Sequence, residues 1–297
     1  MIEPILDIKE LELKADQIRM DIITMLTRAG SGHSAGPLGM ADIFTALFFA
    51  NLLKYNPKKP DWNDRDRLVL SNGHINPVLY VTMAHAGYFP HAELKTLRQF
   101  GSRLQGHPER VRLPGLETTS GPLGSGLSQA AGMAYGLRMD DQKSQHVFCL
   151  TSDGEHEEGN YWEATMFAGK NKLHNLCVIV DRNNIQIDGF TEDVMPLEPL
   201  AMKYQAFNWH VIEIDGHNFE EIAGAVGQAR AIFEKPTVII AHTIPGKGVD
   251  FMENDWRWHG TPPGKAEIPG DPPPSEQAKV ALNELRTLKG KIQSEHQ

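Results

Sequence analysis

Two short strings in the chain carry groups suited to holding a charged ligand. Ser152-Asp153-Gly154 ends an apolar run and opens a helical pattern, VFCLTSDGEHEEGNYWEATMFAGKN. Asn183-Asn184 ends the next apolar run, LCVIVDRNN. If the two runs are neighbouring strands, a carboxylate and a carboxamide meet at one point in space. Asp153 and Asn183 are hard oxygen donors of the kind that bind Mg²⁺ or Ca²⁺. Gly154 has no side chain, so its backbone N–H can come close to a phosphate. The helix that follows adds a partial positive charge at its N-terminus.

Histidine supplies a second set of chemically able groups. The chain has 13. Four sit in loops rich in Gly and Pro: His33 in SGHSAGP, His74 in LSNGH, His107 in GHPE and His259 in WHG. Imidazole titrates near neutrality and can give or take a proton. A substrate with several hydroxyls, such as a carbohydrate, needs such groups.

These residues need a frame. Residues 7–29 read as a helix, with Leu11, Ala15, Ile18, Ile22, Leu26 and Ala29 forming one apolar stripe at spacings of three and four. Gly30, Gly32 and Gly36 break it. A second helix is expected over roughly 38–53; Ile43, Phe44, Leu47, Phe48 and Phe49 make it apolar nearly all round, as in a core or a subunit interface. Strands are expected at Leu68–Leu70, Val147–Leu150, Leu176–Val180, His210–Ile214 and Thr237–Ala241. Each is a short, continuous apolar run, the pattern of a parallel strand covered on both faces. Alternation with helices implies an α/β fold with a doubly wound, mainly parallel sheet flanked by helices. Ligands bind such sheets at the carboxyl ends of the strands, where Ser71-Asn72-Gly73-His74, Ser152-Asp153-Gly154 and Asp181-Arg182-Asn183-Asn184 fall.

Residues 124–136 read as a helix rich in Gly and Ala, which suits either close core packing or an interface. Residues 244–274, rich in Pro, Gly and Trp, read as a long ordered loop, because Trp256 and Trp258 need something to pack against. Residues 275–292 read as a terminal, mostly polar helix, and residues 1–297 as one domain. Glu155, Glu157, Glu158 and Glu163 cluster where a helix dipole favours carboxylates, ordinarily on a solvated face.

The 297 residues are 40% hydrophobic and 23% charged, an ordinary balance for a globular chain with a sizeable core. A net charge of −9 argues against a general nucleic-acid or anionic-membrane surface. No apolar run reaches the length needed to span a bilayer, and the N-terminus lacks the pattern of a secretory signal. Cys149 and Cys177 lie in apolar runs without ligand-spaced partners and read as reduced, buried residues. The cytoplasm is the expected compartment.

The strings resemble a known family. S-D-G followed by N-N looks like the thiamine-diphosphate motif, usually written G-D-G…N-N, with Ser152 in place of the first Gly. SGHSAGPLG, RLVLSNGH, GHPE, SGPLGSGLSQAAGMA, SDGEHEEGNYWEA, DRNNIQIDG and PGKGVDFMEND…WHG appear in the order found in transketolase, from about residue 30 to 260. The resemblance implies a thiamine-diphosphate PP-type domain whose cofactors are thiamine diphosphate and Mg²⁺, with Ca²⁺ or Mn²⁺ as substitutes. It implies that Asp153, the Asn183 side chain and the Ile185 carbonyl bind the metal, and that Gly154 and Asn183 contact the diphosphate. His33 and His107 would meet the substrate near its reacting carbon. His74 and His259 would touch diphosphate and assist proton transfer. Gly121 and Leu123 would approach the cofactor rings, with Ile187 beside the thiazolium. Glu158 and Glu163 match acids that cross the family's dimer interface between two active sites.

A full transketolase is much longer. Its second domain supplies the Glu that activates the cofactor's pyrimidine, and nothing after residue 260 resembles it. The expectation is therefore a C-terminal transketolase subunit as partner, two copies of each chain, and transfer of a two-carbon ketol unit between sugars. A deoxyxylulose-phosphate synthase, a 2-oxo acid dehydrogenase subunit and a non-catalytic binding homologue are the alternatives. The GHPE loop and the paired S-G-H and N-G-H loops favour transketolase over the first two, and the intact Asp153, Asn183 and four histidines speak against the third. A nucleotide-binding dehydrogenase finds no G-x-G-x-x-G after the first strand.

Overall fold

The computed structural model describes residues 3–140 and 144–295, with side chains to residue 285. Its helices are α1 (Ile8–Ala29), α2 (Ala35–Gly39), α3 (Ala41–Phe49), α4 (Asn76–His85), α5 (Ser125–Met139), α6 (Gly159–Lys170), α7 (Thr191–Val194), α8 (Leu200–Ala206), α9 (Phe219–Ala231) and α10 (Pro274–Glu295). The strands are β1 (Arg67–Leu70), β2 (Val147–Ser152), β3 (Leu176–Arg182), β4 (Ile185–Gln186), β5 (Gly189–Phe190), β6 (His210–Asp215) and β7 (Thr237–His242). Short 3-10 turns at Gly73–Ile75, His91–Thr96, Gly154–Glu157 and Trp256–Trp258 complete the frame.

Five strands form one parallel sheet in the order β1-β2-β3-β7-β6. Both faces are covered, which is why the strands read as unbroken apolar runs. Phe148, Leu150 and Ile179 point into a core with α1, α3, α4 and α9. Val147, Cys149 and Val178 point the other way, against α5, α6 and α8. The connections from β2 to β3 and from β3 to β6 run through α6 and α8 on one face; α9, between β6 and β7, lies on the other. Right-handed crossovers require this, because β7 steps back towards β3.

The two cysteines are free and buried, and they belong to opposite faces: Cys149 packs with one core and Cys177 with the other. The expected helix over 38–53 is corrected. It is two helices that meet at Met40, and α3 stops at Phe49 before Asn51, which takes a positive φ of 60°. The break has a packing reason. A Cβ on Gly39 would lie 2.9 Å from the Ile244 carbonyl oxygen, so the chain turns where another backbone crosses it. The burial expected of this segment is found in α3, whose nine residues are all buried.

Candidate active site

The register of β2 with β3 sets the first pair of groups. Ser152 lies opposite Asp181, so Asp153 and Asn183 both emerge from the same end of neighbouring strands. Asp153 is fully buried. Its Oδ1 accepts from the Gly154 N–H at 2.8 Å, and its Oδ2 from the Asn184 N–H at 2.6 Å and from Arg182 at 3.1 Å. Burial pushes its carboxyl up to about 6, with Arg182 pulling the other way. Asn183 is oriented by Asp181: its Nδ2 donates to Asp181 Oδ2 at 2.9 Å, and its Oδ1 accepts from the Ile185 N–H at 3.0 Å. Thr243 donates to the other Asp181 oxygen, which ties the end of β7 to the same point. The buried Asp153 carboxylate and the Asn183 carboxamide oxygen, at neighbouring strand ends, are donors of the type that fits a hard divalent cation.

Ile185 opens the β4–β5 hairpin, in which Ile185 pairs with Phe190 and Gln186 with Gly189. Ile187 lies at its tip and is 63% exposed. The tip reaches the histidines, since a Cβ on Gly260 would lie 3.7 Å from His33 Nε2 and 3.8 Å from Ile187 Cδ1.

Three of the four singled-out histidines form one cluster. Ring centroids lie 5.0 Å apart for His33–His74 and His74–His259, and 5.5 Å for His33–His259. Burial first, then neighbouring rings and Arg98, pushes His33 down to about 3; burial takes His259 to about 4 and His74 well below its ordinary value. All three are neutral imidazoles at neutral pH. Among the described residues, Nδ1 of His33 and of His259 is buried without a hydrogen-bond partner, as are Ser120 Oγ and both amide atoms of Asn72. Such atoms cost stability unless something satisfies them, so the cluster fits a polar ligand. His107 stands beside the cluster and is more exposed. A Cβ on Gly73 would meet Ser120 Oγ at 2.5 Å, with Gly121 N and His107 Cδ2 each at 3.2 Å. The turn carrying His74 thus needs glycine to pass the 120–121 loop. Among the described residues nothing lies within 4 Å of a Cβ on Gly121, and Leu123 is 37% exposed.

His259 is brought in by the loop expected at 244–274, which is ordered by contacts along its length. Trp258 is fully buried, and its indole N–H donates to Asp271 at 2.9 Å. Ser34 donates to the Thr261 carbonyl at 2.7 Å, beside His33. His217 accepts the Ile244 N–H at 2.8 Å and donates from Nδ1 to Asp42 at 2.6 Å.

Three residues that sequence reasoning did not single out organise the site. Glu155, expected on a solvated face, is fully buried. Its Oε1 accepts from Ser71 at 2.5 Å and from the Gly124 N–H at 2.7 Å, and Oε2 from the Ser152 N–H at 3.0 Å. One carboxylate thereby joins the ends of β1 and β2 to the loop before α5, and burial raises it to about 7. Glu157, Glu158 and Glu163 are exposed as expected. A Cβ on Gly124 would come within 3.0 Å of Glu158 Cβ, so Glu158 lies against the same loop. The second residue is His156. Its Nδ1 faces the carbonyls of Ser152 and Asp153 at 3.1 and 3.0 Å, so that nitrogen carries the proton. Nε2 then accepts from Tyr204 at 2.7 Å, which accepts from Tyr161 at 2.6 Å. Burial pushes His156 down to about 3, which holds it neutral in this chain of bonds. The third is Arg182, buried, which also donates to Thr191, Glu192 and Glu198 and fastens the 191–198 segment to Asp153. Its position between Asp181 and Asn183 was the one available signal.

Fold and site together define an α/β domain that presents a strand-end carboxylate, a neighbouring carboxamide and a neutral histidine cluster at the carboxyl end of a parallel sheet. Residues 11–271 match the family described as transketolase, thiamine diphosphate binding domain. The chain belongs to that family. It is 43% identical over 250 residues to a 6-deoxy-6-sulfo-D-fructose transketolase subunit of a Clostridium species, covering 84% of this chain and 90% of the relative. It is 36% identical to an apulose-4-phosphate transketolase subunit of Phocaeicola vulgatus, covering 98% of this chain and 99% of the relative. The crystal structure of transketolase from Campylobacter jejuni superposes with a TM-score of 0.81 at 34% identity over 97% of this chain, yet only 48% of that one. The chain thus spans about half of a full-length transketolase.

Proposed function

We propose that the chain is the diphosphate-binding subunit of a thiamine-diphosphate-dependent transketolase, active with a C-terminal partner chain. The observation that carries this reading is the pairing of Asp153 and Asn183 on adjacent strand ends, followed by a hairpin whose tip at Ile187 lies beside the cluster of His33, His74 and His259. Asp153, Asn183 Oδ1 and the Ile185 carbonyl would hold Mg²⁺. Gly154, His74 and His259 would bind the diphosphate it neutralises, and Gly121, Leu123 and Ile187 would border the rings. Bound thiamine diphosphate supplies the carbanion chemistry that breaks the bond between the second and third carbons of a ketose and passes two carbons to an aldose.

The chain's own residues do the rest. His33 and His107 hydrogen-bond the sugar hydroxyls next to the reacting carbons. Neutral imidazoles suit that task, since each offers one donor and one acceptor nitrogen and can move a proton without first losing a charge. The 244–274 loop and the hairpin tip at Ile187 exclude water on one side. The partner completes the other side and brings the acid that activates the pyrimidine.

The subunit names of the two relatives, which this chain matches over most of their lengths, support the split arrangement. Their names include a sulfonated and a phosphorylated sugar, which supports a ketose donor bearing an anionic group far from the reacting carbons. Two copies of this chain would meet through the exposed apolar face of α5 and α6, where Tyr135, Met139, Met166 and Phe167 lie and where Glu158 and Glu163 would cross between sites. Among the described residues no helix is long and apolar enough to cross a membrane; the proposed compartment is the cytoplasm.

Replacing Asp153 with Ala tests the site. In the assembled enzyme Mg²⁺-dependent binding of thiamine diphosphate should be lost in calorimetry. Unchanged affinity would remove Asp153 from the metal site and the reading with it.

A further inference from the structure

Away from the site just described, three side chains from three elements aim at one point. Asp21 lies on α1, His85 ends α4 and His91 begins the turn at His91–Thr96. Asp21 Oδ2 is 2.7 Å from His85 Nε2 and 2.8 Å from His91 Nε2, and the three ligand atoms all lie within 4.8 Å of one another. The imidazole planes are nearly perpendicular, at 84°. Asp21 and His85 are mostly covered, whereas the His91 side chain is 55% exposed, so the point is open to solvent on one side.

We propose that Asp21, His85 and His91 form a binding site for a divalent transition ion of the Zn²⁺ type, separate from the Mg²⁺ site at Asp153. Two imidazoles and a carboxylate suit zinc and its neighbours rather than Mg²⁺, which prefers an all-oxygen shell. Zinc ligands at about 2.0–2.2 Å from the ion stand roughly 3.4 Å apart in a tetrahedron. The Asp–His pairs need only open by about 0.6 Å for an ion to enter, and water fills the fourth position on the His91 side.

One neighbour opposes the ion. Lys14 Nζ lies 3.2 Å from His85 Nδ1. An ammonium donating to Nδ1 fixes the proton on Nε2, the nitrogen that would bind metal. Zinc binding moves that proton to Nδ1 and turns Lys14 away, so Lys14 is a competitor built into the site. The ion would clamp a seam that matters to the active site. α1 and the loop after it are also tied to the 91–98 segment, by Arg28 to the Lys95 carbonyl at 3.0 Å and by Arg98 to Ser31 at 2.8 Å, next to His33.

The test is a calorimetric titration of the tag-free full chain with ZnCl₂, in excess Mg²⁺ and without thiamine diphosphate. The expected result is one saturable zinc site per chain that also raises the melting temperature. It should be lost in His91→Ala, whose exposed position spares the fold, kept in Asp153→Ala, and tightened roughly tenfold in Lys14→Met. Absence of saturable binding, or binding that His91→Ala leaves intact, would overturn the proposal and reduce the cluster to hydrogen bonds alone.

Discussion

Three imidazoles crowd one end of the sheet, and burial decides how they behave. His33 is held down at about 3 and His259 at about 4, against an ordinary value of 6.5. A group held below its ordinary value stays unprotonated as the pH falls through 6.5. In the chain without cofactor, the ring signals of His33 and His259 should therefore stay those of neutral imidazole down to about pH 5 in an NMR titration. Midpoints near 6.5 for both would show that the cluster is open to water. The chemistry of these residues was legible in the sequence because glycine and proline surround each of them. The residues that hold them were not. Glu155 read as one more acid at a helix start, yet it takes three hydrogen bonds from three segments. Its spacing could not disclose this, because Ser71 and Gly124 come to it from 84 and 31 residues away. His156 was hidden in the same way: its partner Tyr204 is 48 residues on.

At the level of elements, apolar runs located all five strands of the main sheet, since strands covered on both faces leave a continuous signal. The β4–β5 hairpin was missed, because two-residue strands carry no period to read. The α2–α3 break was missed because its cause is a crossing backbone at Ile244 rather than a local breaker. The Gly/Ala helix α5 had two readings, and the close core packing is found on one of its faces. Gly126, Ala130, Ala131 and Ala134 are buried against the sheet, whereas among the described residues nothing lies within 4 Å of a Cβ on Gly132 or Gly136. The two faces should respond differently to one added methyl. On Gly126 a Cβ would overlap Ser71 Oγ and sit 2.6 Å from its Cα, so Gly126→Ala must push α5 away from β1 and from the loop that Glu155 holds. Overpacking of that kind costs about 1–3 kcal/mol, while Gly132→Ala should be neutral or stabilise by up to about 1 kcal/mol through helix propensity. Urea unfolding of both variants checks this; equal effects would mean that α5 does not pack as described.

For the whole molecule, membership of the family was legible in the sequence, because its marks are concentrated in short strings such as SDG and NN. Substrate choice was not legible, since no residue here is marked for the far end of a sugar. In the proposed assembly the site is half-built in this chain and completed by another. On α5 and α6 the side chains of Tyr135, Met139, Met166 and Phe167 are exposed, the face proposed to meet a second copy. The most direct measurement is two-carbon transfer from a ketose to an aldose, with thiamine diphosphate and Mg²⁺ present, while a C-terminal transketolase chain is titrated into a fixed amount of this one. Each chain alone should be inactive, and the rate should rise with the partner and level off at an equimolar ratio. If this chain alone turns over at the rate of the mixture, the activating acid lies within it and the divided-site account is wrong.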